Sequence, residues 1–237
     1  MRELLLLGVL HLSSLPPPLH NPMDTKRLKT FAAEARKVLM LGVGQRLEAL
    51  GFAPNGSVTL EPQLLEGGAI FMGNVVSQDF YDKWQSLRKA ISQTSVADVA
   101  EEASYTWFNR LMAIRIMVKN HLTSPVLEYE EEGSLIPLLV ADARRGLISA
   151  PLQAVLTQAE KEQVEELLNN ETKVADLFSL LIVAYCHSNP VINRCFGNMT
   201  DYTELLLPNG ILSAGGFVNM LNNSPSSPRR ISVRPNS

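Results

Sequence analysis

Apolar residues recur at helical spacing along most of the chain. From Asp24, an N-cap residue type, Leu28, Phe31, Ala32, Ala35, Val38, Leu39 and Leu47 repeat every three or four positions until Gly51 ends the run. This predicts an amphipathic helix of about seven turns. A second helix follows from Asp79, with Phe80, Trp84, Leu87 and Ile91 inward. Ser95 and Asp98 then form an S-x-x-D start for a third, which runs to about Asn120 and is apolar on nearly every face from Trp107 to Val118. Such a helix belongs at the centre of a core.

Between the first two helices the period is lost. Pro54-Asn55-Gly56 is turn chemistry, and Ser57–Leu60 with Ala69–Met72 across Gly67-Gly68 predicts a short hairpin. Residues 121–150 read as loop and one short helix, with an acidic solvated turn from Glu128 to Glu132. Thr157 and Glu160 form a T-x-x-E capping box before Val164, Leu167 and Leu168. Lys173–His187 predicts a helix with Leu177, Leu180, Leu181 and Ala184 inward, and Pro190 starts another carrying Val191, Ile192 and Phe196. The fold class is therefore mainly α, an irregular bundle of about six helices with at most one short β-hairpin.

The ends break this pattern. Leu4–Leu10 is an apolar run far shorter than the roughly 20 residues that span a membrane. With Glu3 before it and Leu15-Pro16-Pro17-Pro18 after it, it lacks the flanks of a signal peptide. Residues 1–22 are read as a disordered extension ahead of a start at Met23. Residues 222–237, rich in Ser, Pro and Arg, have no apolar period to pack and are read as a tail, either natural or frameshifted. The intervening 23–221 form the helical region.

Composition adds little. Of 237 residues 46% are hydrophobic and 19% charged, and the net charge of −3 offers no bulk attraction to polyanions. Any contact with nucleic acid needs a local basic patch. The first helix supplies one candidate, Lys26, Arg27, Lys29, Arg36, Lys37 and Arg46, which reads either as DNA phosphate contacts or as a solvated helix face. Arg110 and Arg115, inside the apolar third helix, are either phosphate contacts or buried ion pairs. Two cysteines are too few for a disulfide framework, and a reducing, cytoplasmic setting is expected. Cys186-His187 with Cys195 offers three metal-type ligands without a fourth at a zinc-like spacing, and packing is the competing reading. No serine sits in a nucleophile elbow.

Three segments carry a family resemblance. They are Met23-Asp-Thr-Lys-Arg-Leu-Lys-Thr-Phe-Ala with Ala35-Arg36-Lys37; Tyr105-Thr-Trp-Phe-Asn-Arg-Leu-Met-Ala-Ile-Arg; and Leu180-Leu-Ile-Val-Ala-Tyr-Cys-His joined to Tyr202-Thr-Glu-Leu-Leu-Leu-Pro-Asn-Gly. In order and separation they resemble the N-terminal region of the PglX-type adenine-specific DNA methyltransferases of BREX bacteriophage-defence systems. The resemblance implies an S-adenosylmethionine-dependent family acting on double-stranded DNA alongside other BREX proteins. It does not extend to the chemistry. Cofactor binding needs a Gly-rich turn after a strand, and the flipped adenine needs an Asn- or Asp-Pro-Pro-aromatic loop. Gly42-Val43-Gly44 lies in a helical pattern, Gly215-Gly216 is expected to lead into no helix, and Asn21-Pro22 and Asn189-Pro190 are followed by Met23 and Val191. No catalytic, cofactor-binding or metal-binding residue is assigned, and the chain alone is expected to be inactive. It reads as an N-terminal fragment serving DNA recognition or complex assembly. The alternatives are a stand-alone helical protein-interaction module and a non-functional truncated product.

Overall fold

The computed structural model describes residues 25–131, 133–196 and 201–223. The segments read as extension and tail, and Asp24 and Glu132, lie outside the described residues except for Asn222 and Asn223. Nine α-helices occur among the described residues: α1 Thr25–Ala49, α2 Gln78–Gln93, α3 Val96–Lys119, α4 Leu138–Arg144, α5 Ala150–Val155, α6 Gln158–Leu168, α7 Val174–Ser188, α8 Pro190–Phe196 and α9 Phe217–Asn223. Two 3-10 turns, Glu171–Lys173 and Tyr202–Leu206, and three short strands complete the set. The protein is mainly α. Two compact units divide after Ala33, within α1. Of the first, residues 25–33 are described; they are helical, and Lys26–Thr30 are exposed.

In the second unit the helix starts follow local chemistry. Ser77 accepts a hydrogen bond from the Phe80 amide to open α2, and Ser95 does the same for Asp98 at α3. At α6 the box is complete, with the Glu160 carboxylate accepting from the Thr157 amide while the Thr157 hydroxyl accepts from the Glu160 amide. Each satisfies amides that a helix start leaves without partners.

The β content is a meander and differs in register from the sequence expectation. β1 Gln63–Leu65, β2 Gly68–Phe71 and β3 Asn74–Ser77 pair antiparallel in the order β1-β2-β3. Ser57–Leu60 contributes only an isolated bridge from Val58 to Phe52. The β2–β3 turn is Met72-Gly73 with both φ values positive, the backbone of a tight two-residue hairpin. Asn or Asp ordinarily marks the first of those positions. A methionine there conceals the turn.

A core of Val43, Leu47, Leu50, Phe52, Phe71, Trp84, Leu87, Ile91, Val99 and Ala103 joins α1, the meander, α2 and α3. Trp84 stacks on Phe52 with centroids 5.0 Å apart and donates its indole N–H to the Leu50 carbonyl at 2.8 Å. Farther along the chain, α7 buries Leu177, Phe178, Leu181 and Ile182 and packs against α4, α5, α6 and α8. α5, α9 and the Tyr202–Leu206 turn are elements that the periodicity did not reveal. Leu28 and Ala32, part of the apolar period of the first helix, are exposed, as are Val191 and Phe196 on α8.

Candidate functional site

The segment Tyr202–Gly210 is where distant parts of the chain meet. Asp201 caps its 3-10 turn by accepting from the Thr203 amide at 2.9 Å. The carbonyls of that turn then receive side chains from two helices: Trp107 of α3 donates its indole N–H to Thr203 O at 3.1 Å, and Arg46 of α1 donates Nε–H to Leu205 O at 2.8 Å. Four residues on, the Asn209 amide donates to Gly42 O at 3.0 Å. The close approach is possible because residue 42 is glycine. A Cβ there would stand 2.6 Å from Asn209 O and 2.7 Å from Pro208 Cβ. A shallow depression of about 250 Å³ beside this contact is bordered by Val38, Leu41, Gln45, Gly210 and Ser213.

The charged centre of the segment is Glu204, whose side chain is only 10% exposed. One carboxylate oxygen accepts from Lys83 Nζ of α2 at 2.5 Å and the other bonds His187 Nε2 of α7 at 2.8 Å. Lys83 also pairs with Asp79 at 2.6 Å. Burial pulls the Lys83 ammonium down, but its hydrogen bonds and charge contacts with Asp79 and Glu204 outweigh this and leave it above its usual value. Both carboxylate oxygens are occupied, so the arrangement works as an ionic tie between α2, α7 and the turn. Sequence reading marked this segment by motif without seeing its role. The available signal was an acid set in an apolar run, Leu205–Leu207, since a charge in such company needs a partner.

The sequence candidates are dispersed. Lys26, Arg27 and Lys29 are exposed in the first unit, and Lys37 is exposed in the second. Arg36 pairs with Glu101 at 2.6 Å, both well exposed. Arg46 is half-buried against Leu205, and burial lowers its guanidinium against the opposing pull of Asp176. Arg115 takes the ion-pair alternative: it bonds Glu128 and donates to Leu221 O at 3.3 Å. Glu128 is thereby drawn in from the turn expected to be solvated. Arg110 donates to the Phe196 carbonyl at 3.3 Å.

Among the described residues no group of three or more His, Cys, Asp and Glu is placed to hold a metal. Cys186 is buried and its thiol is pushed up to about 12, chiefly by that burial, so the thiolate that binds metals is suppressed. His187 is committed to Glu204, and Cys195 is exposed. Among the described residues no single helix is long and apolar enough to cross a membrane. The glycines do not fit a nucleotide cofactor. Gly42-Val43-Gly44 lies within α1 with Gly42 filled by Pro208-Asn209. Gly215-Gly216 does lead into a helix, α9, contrary to the sequence expectation, because Phe217, Val218 and Leu221 have a core to pack against; but no strand precedes the pair, and Gly216 abuts the Gly210 and Ile211 carbonyls.

Two curated proteins are similar in sequence. Over 133 residues, 51% of the chain, it is 29% identical to the adenine-specific methyltransferase PglX of Lacticaseibacillus casei (strain Zhang). Over 200 residues, 80% of the chain, it is 27% identical to the adenine-specific methyltransferase BrxX of Escherichia coli O9:H4 (strain HS). The chain is related to the PglX-type methyltransferases. The matches span 11% and 16% of those two proteins. No family model matches the chain. The second and third of the segments that carry the PglX-type resemblance meet in space. Trp107 lies in the second, and His187 and Glu204 tie the two halves of the third together.

Proposed function

We propose that this chain is the helical, non-catalytic N-terminal region of a PglX-type adenine-specific DNA methyltransferase from a BREX phage-defence system, and that it engages duplex DNA. In this reading, residues 23–221 form the recognition region, and transfer of the methyl group from S-adenosylmethionine is carried out by residues other than those of this chain. The observation that carries the proposal is the 200-residue match to a methyltransferase, along matched sequence without a strand-borne glycine turn or an Asn-Pro-Pro-aromatic loop. Lys26, Arg27 and Lys29, exposed on α1, are the proposed phosphate contacts.

Phosphate contacts release counterions, so affinity for duplex should fall steeply with salt. Fluorescence anisotropy of the full chain with a duplex oligonucleotide, from about 50 to 200 mM salt, tests this. Replacing Lys26, Arg27 and Lys29 with glutamine should flatten the slope of log K against log salt by about 2–3. An unchanged slope removes these residues as contacts, and absence of duplex binding removes the DNA reading. A methylation assay is expected to show no transfer by this chain; robust transfer would overturn the assignment of catalysis to other residues.

A second reading, assembly with other BREX proteins, is favoured by the outer face of the meander. Leu65, Ile70 and Val75 lie on it, and Val75 is 80% exposed. Gln63 and Ser77 share this face, and exposed apolar side chains among polar ones are the kind of surface that protein partners use.

A further inference from the structure

Tyr105, Thr106, Asn109 and Arg110 occupy one side of α3, as two adjacent pairs about one turn apart. Phe196, at the end of α8, meets them across an open recess of about 190 Å³. None of the five lining residues is acidic. Tyr105 is 43% and Phe196 40% exposed, so two aromatic rings stand at the rim. Phe196 is braced from within the protein: Arg110, 3% exposed, donates to its carbonyl and holds its guanidinium carbon 6.0 Å from the ring centroid. Thr106 and Asn109 are half-buried beside it.

The chemistry of this lining is selective. Exposed aromatic rings favour a flat π-surface, and the Asn109 amide offers a donor and an acceptor side by side, as the edge of a heteroaromatic ring requires. A purely aliphatic ligand leaves the amide and hydroxyl unmatched, and a bare phosphate leaves the rings unused. The space suits one ring system.

We propose that the recess is a binding subsite for a single unpaired nucleobase, stacked against Tyr105 and Phe196 with its edge paired to Asn109 and Thr106. This base is distinct from the one that would be methylated. The choice of a nucleobase among heteroaromatic rings rests on the DNA role proposed above; the fit of a ring to the recess does not.

Two arms separate these claims. In the first, the side-chain amide signal of Asn109 is followed by NMR in the ¹⁵N-labelled full chain as each of the four deoxynucleosides is added at millimolar concentration. At least one should shift it together with the Thr106 backbone amide; Tyr105→Ala should abolish both shifts and Asn109→Ala, which lacks the side-chain signal, should abolish the Thr106 shift, each variant being checked for a native melting curve. In the second, duplexes carrying one bulged nucleotide or one bulged abasic residue are compared. The base should tighten binding about tenfold, a preference that Tyr105→Ala removes while plain duplex binding persists. If no nucleoside shifts Asn109, or Tyr105→Ala binds as the parent does, the subsite is overturned, whatever the affinity for duplex. If nucleosides bind as expected but no duplex does, the subsite stands and the DNA role falls.

Discussion

Gly42 and Gly44 sit two positions apart in α1 and have opposite requirements. At Gly44 nothing lies within 4 Å of where a Cβ would be, whereas at Gly42 backbone and ring atoms of Pro208-Asn209 fill that space. Glycine inside a helix costs roughly 0.5–1 kcal/mol relative to alanine. Gly44→Ala should therefore stabilise the protein by about that amount, and Gly42→Ala should destabilise it by about 1–3 kcal/mol through overpacking. Urea titration of the two variants checks this; equal effects would mean that the Gly42 contact is not a constraint. Cys186 gives a second test. Burial raises its thiol from 9.0 to about 12. The unfolded chain therefore loses this proton first as pH rises, so the stability it contributes is complete below pH 9 and declines from there to about 12. While the group is fully engaged, the decline is about 1.4 kcal/mol per pH unit. Cys186→Ala should flatten that alkaline loss. In native protein at neutral pH a thiol reagent should label the exposed Cys195 and spare Cys186; equal labelling of both would contradict the burial.

Elements with local instructions were legible in the chain, and those defined by remote partners were not. The starts of α3 and α6 were readable because their caps lie within three residues. Thr157→Ala removes one side of the α6 box and should cost about 1 kcal/mol, seen as a lowered melting temperature; an unchanged melt would show that packing on α7 alone holds α6. The meander was misplaced for the converse reason. Its turn uses Met72 at positive φ, a geometry enforced by the pairing of β2 with β3 and not by the residue's own preference. Likewise α9 is seven residues of modest propensity, held by burial of Phe217, Val218 and Leu221. The Tyr202–Leu206 turn was visible only as a motif, since its role depends on Trp107, Arg46 and Lys83, which lie far away in sequence.

At the scale of the molecule, Glu204 joins α2 and α7 through one carboxylate. Removing its charge leaves Lys83 with only Asp79 in a largely buried setting. Because losing one partner of a buried pair costs about 3–5 kcal/mol, Glu204→Gln should lose somewhat less, about 2–3 kcal/mol, since the amide still accepts a hydrogen bond. The fluorescence of Trp84 and Trp107, on two of the helices that this turn contacts, should report the loss at the same denaturant concentration. A Glu204→Gln loss that differs between the Trp84→Phe and Trp107→Phe backgrounds, each compared with its own parent, would show that the turn does not couple them. The candidate recess was likewise only half legible. Tyr105–Arg110 was recognisable as a motif, but its opposing wall, Phe196, was read only as an apolar residue of a short helix, and nothing local tied it to α3.

The bond from the Asn209 amide to Gly42 has a consequence for the order of synthesis. A ribosome adding about 5–20 residues per second reaches Asn209 roughly ten to thirty seconds after Gly42. During that interval the groove of α1 that Pro208-Asn209 will cover is open, and the carbonyls awaiting Trp107 and Arg46 do not yet exist. The face of α1 that packs on Phe71, Trp84 and Leu87 can be covered in the meantime, so the first long helix has one face settled early and its Gly42 face only when nearly the whole described region has been made.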